Sequence, residues 1–314
     1  MRQWYNAANI PNRFTVGAGP YGLAFDGAHI WVSNYGSPSY PHGTGVTELN
    51  ASDGSMIGTF TAGGDLSNPV ALAFDGKHIW VGNVSGNSVT ELNASDGSKV
   101  GTFTAGGDIQ APGLDGLVFD GAHIWVSNTK GNSVTELNAS DGSKVGTFTV
   151  GTNPVGLVFD GAHIWVTNSN SNSVTELNVS DGSQVGYFTD GIYTPNVLAF
   201  DGAHIWVGSA FGASVTELNA SDGSVVGTFT AGGDISYPSA LASTERTSGW
   251  RAPVATGWTS SDESAPLGDR PGTAAGGHRQ GGRGSASAPG LPSGKPDKFQ
   301  NYCGLPPSLD VSSD

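Results

Sequence analysis

The stretch Phe159 to Thr189, FDGAHIWVTNSNSNSVTELNVSDGSQVGYFT, recurs along the chain, and near-copies begin at Phe25, Phe74, Phe119 and Phe200. The repeated tryptophans stand at Trp31, Trp80, Trp125, Trp165 and Trp206, a period of roughly 40 to 49 residues. Each copy divides into four short β-prone runs. In the third these are Leu117–Phe119, Ile124–Asn128, Ser133–Asn138 and Val145–Thr149. Asp120-Gly121 separates the first pair, and Asp-Gly signals a tight hairpin turn. Ala139-Ser140-Asp141-Gly142 separates the last pair with the same kind of chemistry. Four antiparallel strands at this period describe one blade of a β-propeller. A lone blade cannot bury both faces, so blades must stack around a ring.

Five complete copies end near Thr230, and residues 13–242 are read as the propeller, with 1–12 as an N-terminal extension. Arg13-Phe14-Thr15-Val16-Gly17 matches the fourth strand at Thr147-Phe148-Thr149-Val150-Gly151, so the chain opens with an orphan fourth strand. Pairing it with strands from the other end of the chain would close the ring and remove open sheet edges. A sixth copy starts normally, Ser236 to Ala242 paralleling Ser67 to Ala73, and then collapses into Ser-Thr-Glu-Arg-Thr-Ser-Gly-Trp at 243–250. The genetic code accounts for the collapse. Removing one T from one coding of Ala-Phe-Asp-Gly-Ala-His-Ile-Trp-Val yields the nine residues found at 242–250. Codons for 255–261 permit Gly-Asn-x-Val-Asp-Glu-Leu in the original frame, where other copies have Gly-Asn-Ser-Val-Thr-Glu-Leu. Residues 243–314 are therefore read as an out-of-frame translation forming a disordered tail, rich in Pro, Gly and Ser. The expected gap in the ring would expose apolar surface, such as that around Trp206 or Trp31.

The net charge is −14, and all of it belongs to the repeats: residues 1–242 hold 20 acidic and 6 basic side chains, the remainder 7 of each. Ten of the acids are turn aspartates such as Asp26 and Asp53, and five are Glu48, Glu91, Glu136, Glu176 and Glu217. An acidic ring disfavours nonspecific nucleic-acid binding. No run of 18 apolar residues occurs, so no membrane span is expected. Met1–Asn12 has no apolar core of signal-peptide type, so export is not expected unless the true start lies upstream, and localisation stays open. Cys303 is the lone cysteine and excludes a disulfide framework.

Second strands read Trp-Val-Ser-Asn at Trp31–Asn34, Trp-Val-Gly-Asn at Trp80–Asn83 and Trp-Val-Thr-Asn at Trp165–Asn168. Each is followed by Asn-Ser-Val-Thr-Glu-Leu or a close variant and a turn ending in Asp-Gly. This resembles the YVTN-type β-propeller repeat, with Trp in place of Tyr, and is similar to NHL and streptogramin (virginiamycin B) lyase-like propellers. The resemblance implies an all-β propeller from a bacterium or archaeon, often exported and usually a binding or scaffolding ring. The lyase-like relatives need a metal held by His and Glu on the central face. No unique His–Glu constellation here carries that over.

His29, His78, His123, His163 and His204 occupy one repeat position, which favours a symmetric structural job over catalysis. Five separated histidines cannot form one close metal site, so neither a metal nor a cofactor is expected. The tryptophans are expected to pack between sheets. The Asn-Ala-Ser-Asp-Gly-Ser stretches lack the alternating acids of a calcium loop and read as turns. Variation among copies is more informative. The FDGAH and NASDGS turns hardly change, whereas the second-to-third and inter-blade connections differ, and in an up-and-down blade both lie on one face. Tyr35, Tyr40, His42, Gln110, Tyr193 and Phe211 stand out there as candidate ligand contacts. The expected function is noncatalytic recognition of a small molecule, glycan or protein through that face. The alternatives are a lyase-like enzyme with an incomplete site and a truncated, nonfunctional fragment.

Overall fold

The computed structural model describes residues 14–36, 45–230, 235, 237–244 and 251–257, with backbone alone at 114, 115, 242–244 and 251–257. Five sheets follow one another, each with its four strands antiparallel and in chain order. They are β1 (Pro20–Phe25), β2 (His29–Asn34), β3 (Gly45–Asn50) and β4 (Met56–Phe60); then β5 (Pro69–Phe74), β6 (His78–Asn83), β7 (Ser88–Asn93) and β8 (Lys99–Phe103). The third blade holds β9 (Pro112–Phe119), β10 (His123–Asn128), β11 (Ser133–Asn138) and β12 (Lys144–Thr149). The fourth has β13 (Pro154–Phe159), β14 (His163–Asn168), β15 (Ser173–Asn178) and β16 (Gln184–Phe188). The fifth has β17 (Pro195–Phe200), β18 (His204–Ser209), β19 (Ser214–Asn219) and β20 (Val225–Phe229). A two-stranded hairpin, β21 (Pro238–Thr244) with β22 (Arg251–Gly257), comes last. First strands of successive blades pack on one another, β1 on β5, β5 on β9 and so on to β21, which makes them the innermost strands.

The blades stack through one repeating layer. Trp31 and Val46 of the first blade pack with Leu72, Ile79, Val81 and Leu92 of the second. Trp80 and Val89 meet Leu117, Ile124, Val126 and Leu137. Trp125 and Val134 meet Leu157, Ile164, Val166 and Leu177, and Trp165 and Val174 meet Leu198, Ile205, Val207 and Leu218. Each buried side chain of this kind contributes roughly 1.5–3 kcal/mol. After the fifth blade the described layer is smaller: Trp206 and Val215 pack with Ile235 and Leu241.

A second link lies near the blade rims. Phe60 of β4 lies against its own Trp31, ring centroids 5.5 Å apart, and covers Gly97 in the third turn of the next blade. Gly97 has φ +68, and a Cβ there would run into the Phe60 ring. Phe103, Phe148 and Phe188 repeat this over Gly142, Gly182 and Gly223. Phe14 takes the same seat over Gly54.

Three expectations need correction. Phe14 to Gly17 is not a strand, although Phe14 sits where a fourth-strand phenylalanine belongs. The β21–β22 hairpin gives it no third strand to pair with. Strand β21 continues through Thr244, two residues beyond the expected boundary at Ala242, and pairs with β22, while 245–250 and 258–314 lie outside the described residues. Finally, Trp31 and Trp206 are buried, since each faces the blade that follows it. The exposed apolar side chains at the gap are Tyr21, Leu23 and Phe25 on β1.

Candidate functional site

The histidine position resolves into a four-residue motif inside each blade. Asp26 Oδ1 accepts the N–H groups of Ala28 (2.8 Å) and His29 (2.7 Å) in the hairpin turn. Its Oδ2 accepts the Trp31 indole N–H at 2.9 Å and lies 3.0 Å from His29 Nδ1. Nδ1 is also 3.2 Å from Glu48 Oε1, and the register sets Glu48 directly opposite Trp31. The other blades repeat the motif as Trp80–Asp75–His78–Glu91, Trp125–Asp120–His123–Glu136, Trp165–Asp160–His163–Glu176 and Trp206–Asp201–His204–Glu217.

The two carboxylates are tuned in opposite directions. Burial pushes Asp26 up, but bonds from Trp31, the Ala28 and His29 backbone and the His29 ring outweigh it and hold its pKa at about 2. Asp75, Asp120, Asp160 and Asp201 are lowered by the same balance of burial against hydrogen bonds. Burial raises Glu48, Glu91, Glu136 and Glu176, opposed by the neighbouring histidines.

In four blades the Asp, His and Glu ligand atoms lie within 4.8 Å of one another, close enough to suggest a metal. Two backbone N–H groups, an indole N–H and an imidazole already face the aspartate. A cation among these ligand atoms would replace the His29–Asp26 contact and leave the Trp31 hydrogen bond in place. The motif ties the first turn to the second and third strands.

The opposite end of each blade carries the variable loops. The second-to-third connection donates an N–H to the incoming segment of its own blade: Tyr35 to Gly19 O (2.8 Å), Val84 to Asn68 O (3.2 Å), Thr129 to Ala111 O (3.2 Å), Ser169 to Asn153 O (3.0 Å) and Ala210 to Thr194 O (3.3 Å). Both loop sets thus share one face. Below them, the asparagine ending the second strand of the first four blades explains the Trp-Val-x-Asn signature. Asn83 Nδ2 donates to Thr90 Oγ1 at 2.9 Å, and Thr90 Oγ1 lies 3.2 Å from Thr102 Oγ1, tying three strands together.

Blades two to four pair most of their loop polarity, although Asn168 Oδ1 of the fourth blade is buried without a partner. Ser85 Oγ donates to Asn68 Oδ1 (2.7 Å), Thr129 Oγ1 donates to the Pro154 carbonyl (2.9 Å), and Asn153 bonds Ser169. Asn87, Asn132 and Asn172 accept the N–H of Ala111, Asn153 and Thr194 at the start of the following blade.

The fifth blade breaks these rules together. Ala213 stands at the left-handed position of those asparagines, φ +46, with no side-chain acceptor to offer. Thr194 and Tyr237, each just before a proline, have φ +45 and +48, where bulky or branched residues are strained. Ser209 replaces the signature asparagine, and its Oγ is buried without a hydrogen-bond partner, as is Asn196 Oδ1. Phe211 projects above this end, 69% exposed, with its ring edge-on to Tyr237 at 5.4 Å. The Phe211 N–H reaches Thr194 Oγ1 at 3.2 Å, and Tyr193 beside it is exposed as well.

Of the residues singled out from sequence, Tyr193 and Phe211 come together here. Tyr35 lies on the first blade beside Tyr21, ring centroids 6.1 Å apart. Gln110 is exposed at the start of the third blade, away from both aromatic groups. Tyr40 and His42 lie outside the described residues. Sequence reasoning missed Tyr21 and Tyr237: Tyr21 follows the proline that opens a first strand, where the other copies have Val, Gly, Asn or Ser, and Tyr237 precedes it, where they have Gly, Asn, Ala or Thr.

No protein-family description matches the chain, and no curated protein matches it in sequence. Solved structures do match in shape. A catalytically inactive virginiamycin B lyase from Staphylococcus aureus, with quinupristin, aligns with TM-score 0.58 at 18% identity, over 71% of this chain and 73% of its own. U3-55K aligns with TM-score 0.58 at 16% identity, over 68% of this chain and 65% of its own. The WD40 repeats of RRP9 align with TM-score 0.58 at 16% identity, over 68% of this chain and 64% of their own. The chain thus spans just under two thirds of the length of U3-55K and of the RRP9 repeats. At these identities the likeness is one of fold: the protein is an all-β propeller with five complete blades and an incomplete sixth.

Proposed function

We propose that this propeller is a noncatalytic binding ring that takes a small molecule, glycan or protein on its variable-loop face, chiefly at the fifth blade. One observation carries the reading. At that end two left-handed residues that are neither Gly nor Asn, Thr194 and Tyr237, accompany an exposed aromatic pair standing over the buried Ser209 hydroxyl, which has no hydrogen-bond partner. Strain of this kind costs roughly 1–3 kcal/mol per residue and collects at functional sites. Exposed aromatic anchors are typical of recognition surfaces. Residues that break local rules without a folding benefit belong to function more often than to the scaffold. The Asp–His–Glu groups belong to the scaffold in this reading, since their hydrogen bonds are used within the blade.

The test is a binding screen of the purified chain against immobilised oligosaccharides, peptides and small-molecule libraries, repeated with Phe211→Ala and Asp141→Ala. Phe211→Ala should abolish or strongly weaken the retained ligand at unchanged melting temperature. Asp141→Ala removes the acceptor for the Ser143 N–H (2.9 Å) and should lower stability while leaving affinity intact. Binding that survives Phe211→Ala and Tyr35→Ala but fails with Asp141→Ala at unchanged stability would move the site to the other face.

A further inference from the structure

We infer that the open face of the first blade is the seat of a complete sixth blade of this same chain, with β21 as its first strand and Phe14–Gly17 as its fourth. This stands apart from the ligand-binding reading. Both flanks of such a blade are already in place. On one side Leu241 of β21 packs on Trp206 and Val215, as Leu198 packs on Trp165 and Val174. On the other side Phe14 covers Gly54, as Phe60 covers Gly97.

Between these flanks the β1 side of the first blade is uncovered, whereas Val32 and Leu49, which correspond to Val81 and Leu92, are buried. Leu23 corresponds to Leu72, which is buried against Trp31 of the preceding blade. Among the described residues no tryptophan of a preceding blade packs on Leu23, which is 65% exposed. Phe229 corresponds to Phe188 but covers no following turn glycine among the described residues, and it is half exposed. No packing like that of β17 on β21 joins β21 to β1 among the described residues.

The hairpin that now follows β21 cannot fill this space. In the fifth blade Pro195 pairs with Ser209, whereas Pro238 pairs with Gly257, five residues later along its partner strand. Residues 243–250 also lack the Asp-Gly turn, the histidine and the tryptophan position that build the motif elsewhere. Reading 242–250 in the other frame supplies all of them, as Ala-Phe-Asp-Gly-Ala-His-Ile-Trp-Val. The occupant is therefore this chain's own second and third strands in that frame, rather than a foreign partner.

The experiment compares the chain as it stands with a version carrying one T restored after the Ala242 codon. A third version continues from Ala242 with a second copy of residues 200–219. The measurements are monomer fraction by light scattering, melting temperature, and the effect of Leu23→Asn in each background. Closure predicts that a completed version gains monomer fraction and melts higher. It also predicts that Leu23→Asn is nearly silent in the present chain but lowers the folding equilibrium at least about tenfold once the blade is complete. If the frame-restored version does not fold, the grafted version decides alone. Equal melting temperatures and an equal effect of Leu23→Asn in all backgrounds would overturn the inference. So would a dimer that persists unchanged after completion, because a second copy would then be the occupant.

Discussion

Strands β1 and β5 have nearly the same sequence, PYGLAF and PVALAF, and opposite environments. Leu72 is 9% exposed and Leu23 is 65% exposed. Both strands pair with a second strand of the same type, in the same register, across the same Asp-Gly turn. Local sequence therefore makes the strand, and the preceding blade makes the core. In a ring of repeats each unit's stability is largely an interface term, and on the first blade that term is reduced at β1, where Leu23 is exposed, although Val32 and Leu49 are buried.

The largest expected effect comes from removing matching side chains on the two strands. Leu72→Ala should cost about 2–5 kcal/mol by leaving a cavity against Trp31, while Leu23→Ala should stay within about 0.5 kcal/mol. Denaturant titration of both variants checks this, and equal losses would break the comparison. Next comes the motif. Asp75→Ala strips the acceptor from the buried Trp80 indole N–H and two backbone N–H groups, and should cost about 1–3 kcal/mol in thermal or denaturant unfolding.

A smaller effect is expected from pH. Asp26 has a folded pKa of about 2, below its ordinary 3.8, so its stabilisation is full above that ordinary value and is lost as pH falls toward 2. The other motif aspartates shift the same way. Glu48, Glu91, Glu136 and Glu176 are raised above 4.5, so they favour the folded state at low pH and lose that contribution as pH climbs through their raised values. Melting temperature should therefore fall between pH 4 and 2, and Asp26→Asn should flatten that fall. The smallest effect is Phe211→Ala, which should change stability by under about 0.5 kcal/mol because the ring is mostly exposed.

Much of this architecture was legible in the sequence. The four runs of the third copy match β9 to β12 closely, and the His123 and Lys144 boundaries each differ by one residue. Strand β9 begins five residues earlier than expected, at Pro112, because its pairing skips from Leu117 to Pro112 through a bulge. The shared repeat position of the histidines was legible from the sequence. Their partners were not, since Asp, Trp and Glu meet only through the hairpin turn and the Trp–Glu register. Tyr35, Tyr193 and Phe211 emerged from comparing loops among copies. Tyr21 and Tyr237 escaped that comparison because they flank prolines at strand starts, and their exposure depends on the neighbouring blade. The exposed apolar surface was expected around Trp206 or Trp31, yet a propeller tryptophan faces forward, so the break exposes the backward face of β1 instead.

The most direct test of the account is native-state amide hydrogen exchange in the chain as it stands, comparing the inner strands β1 and β5. The account predicts that β5 amides exchange only through global unfolding, while β1 amides open locally and exchange at least about tenfold faster. Equal protection of the two strands would mean that the first blade is covered after all and would contradict the account.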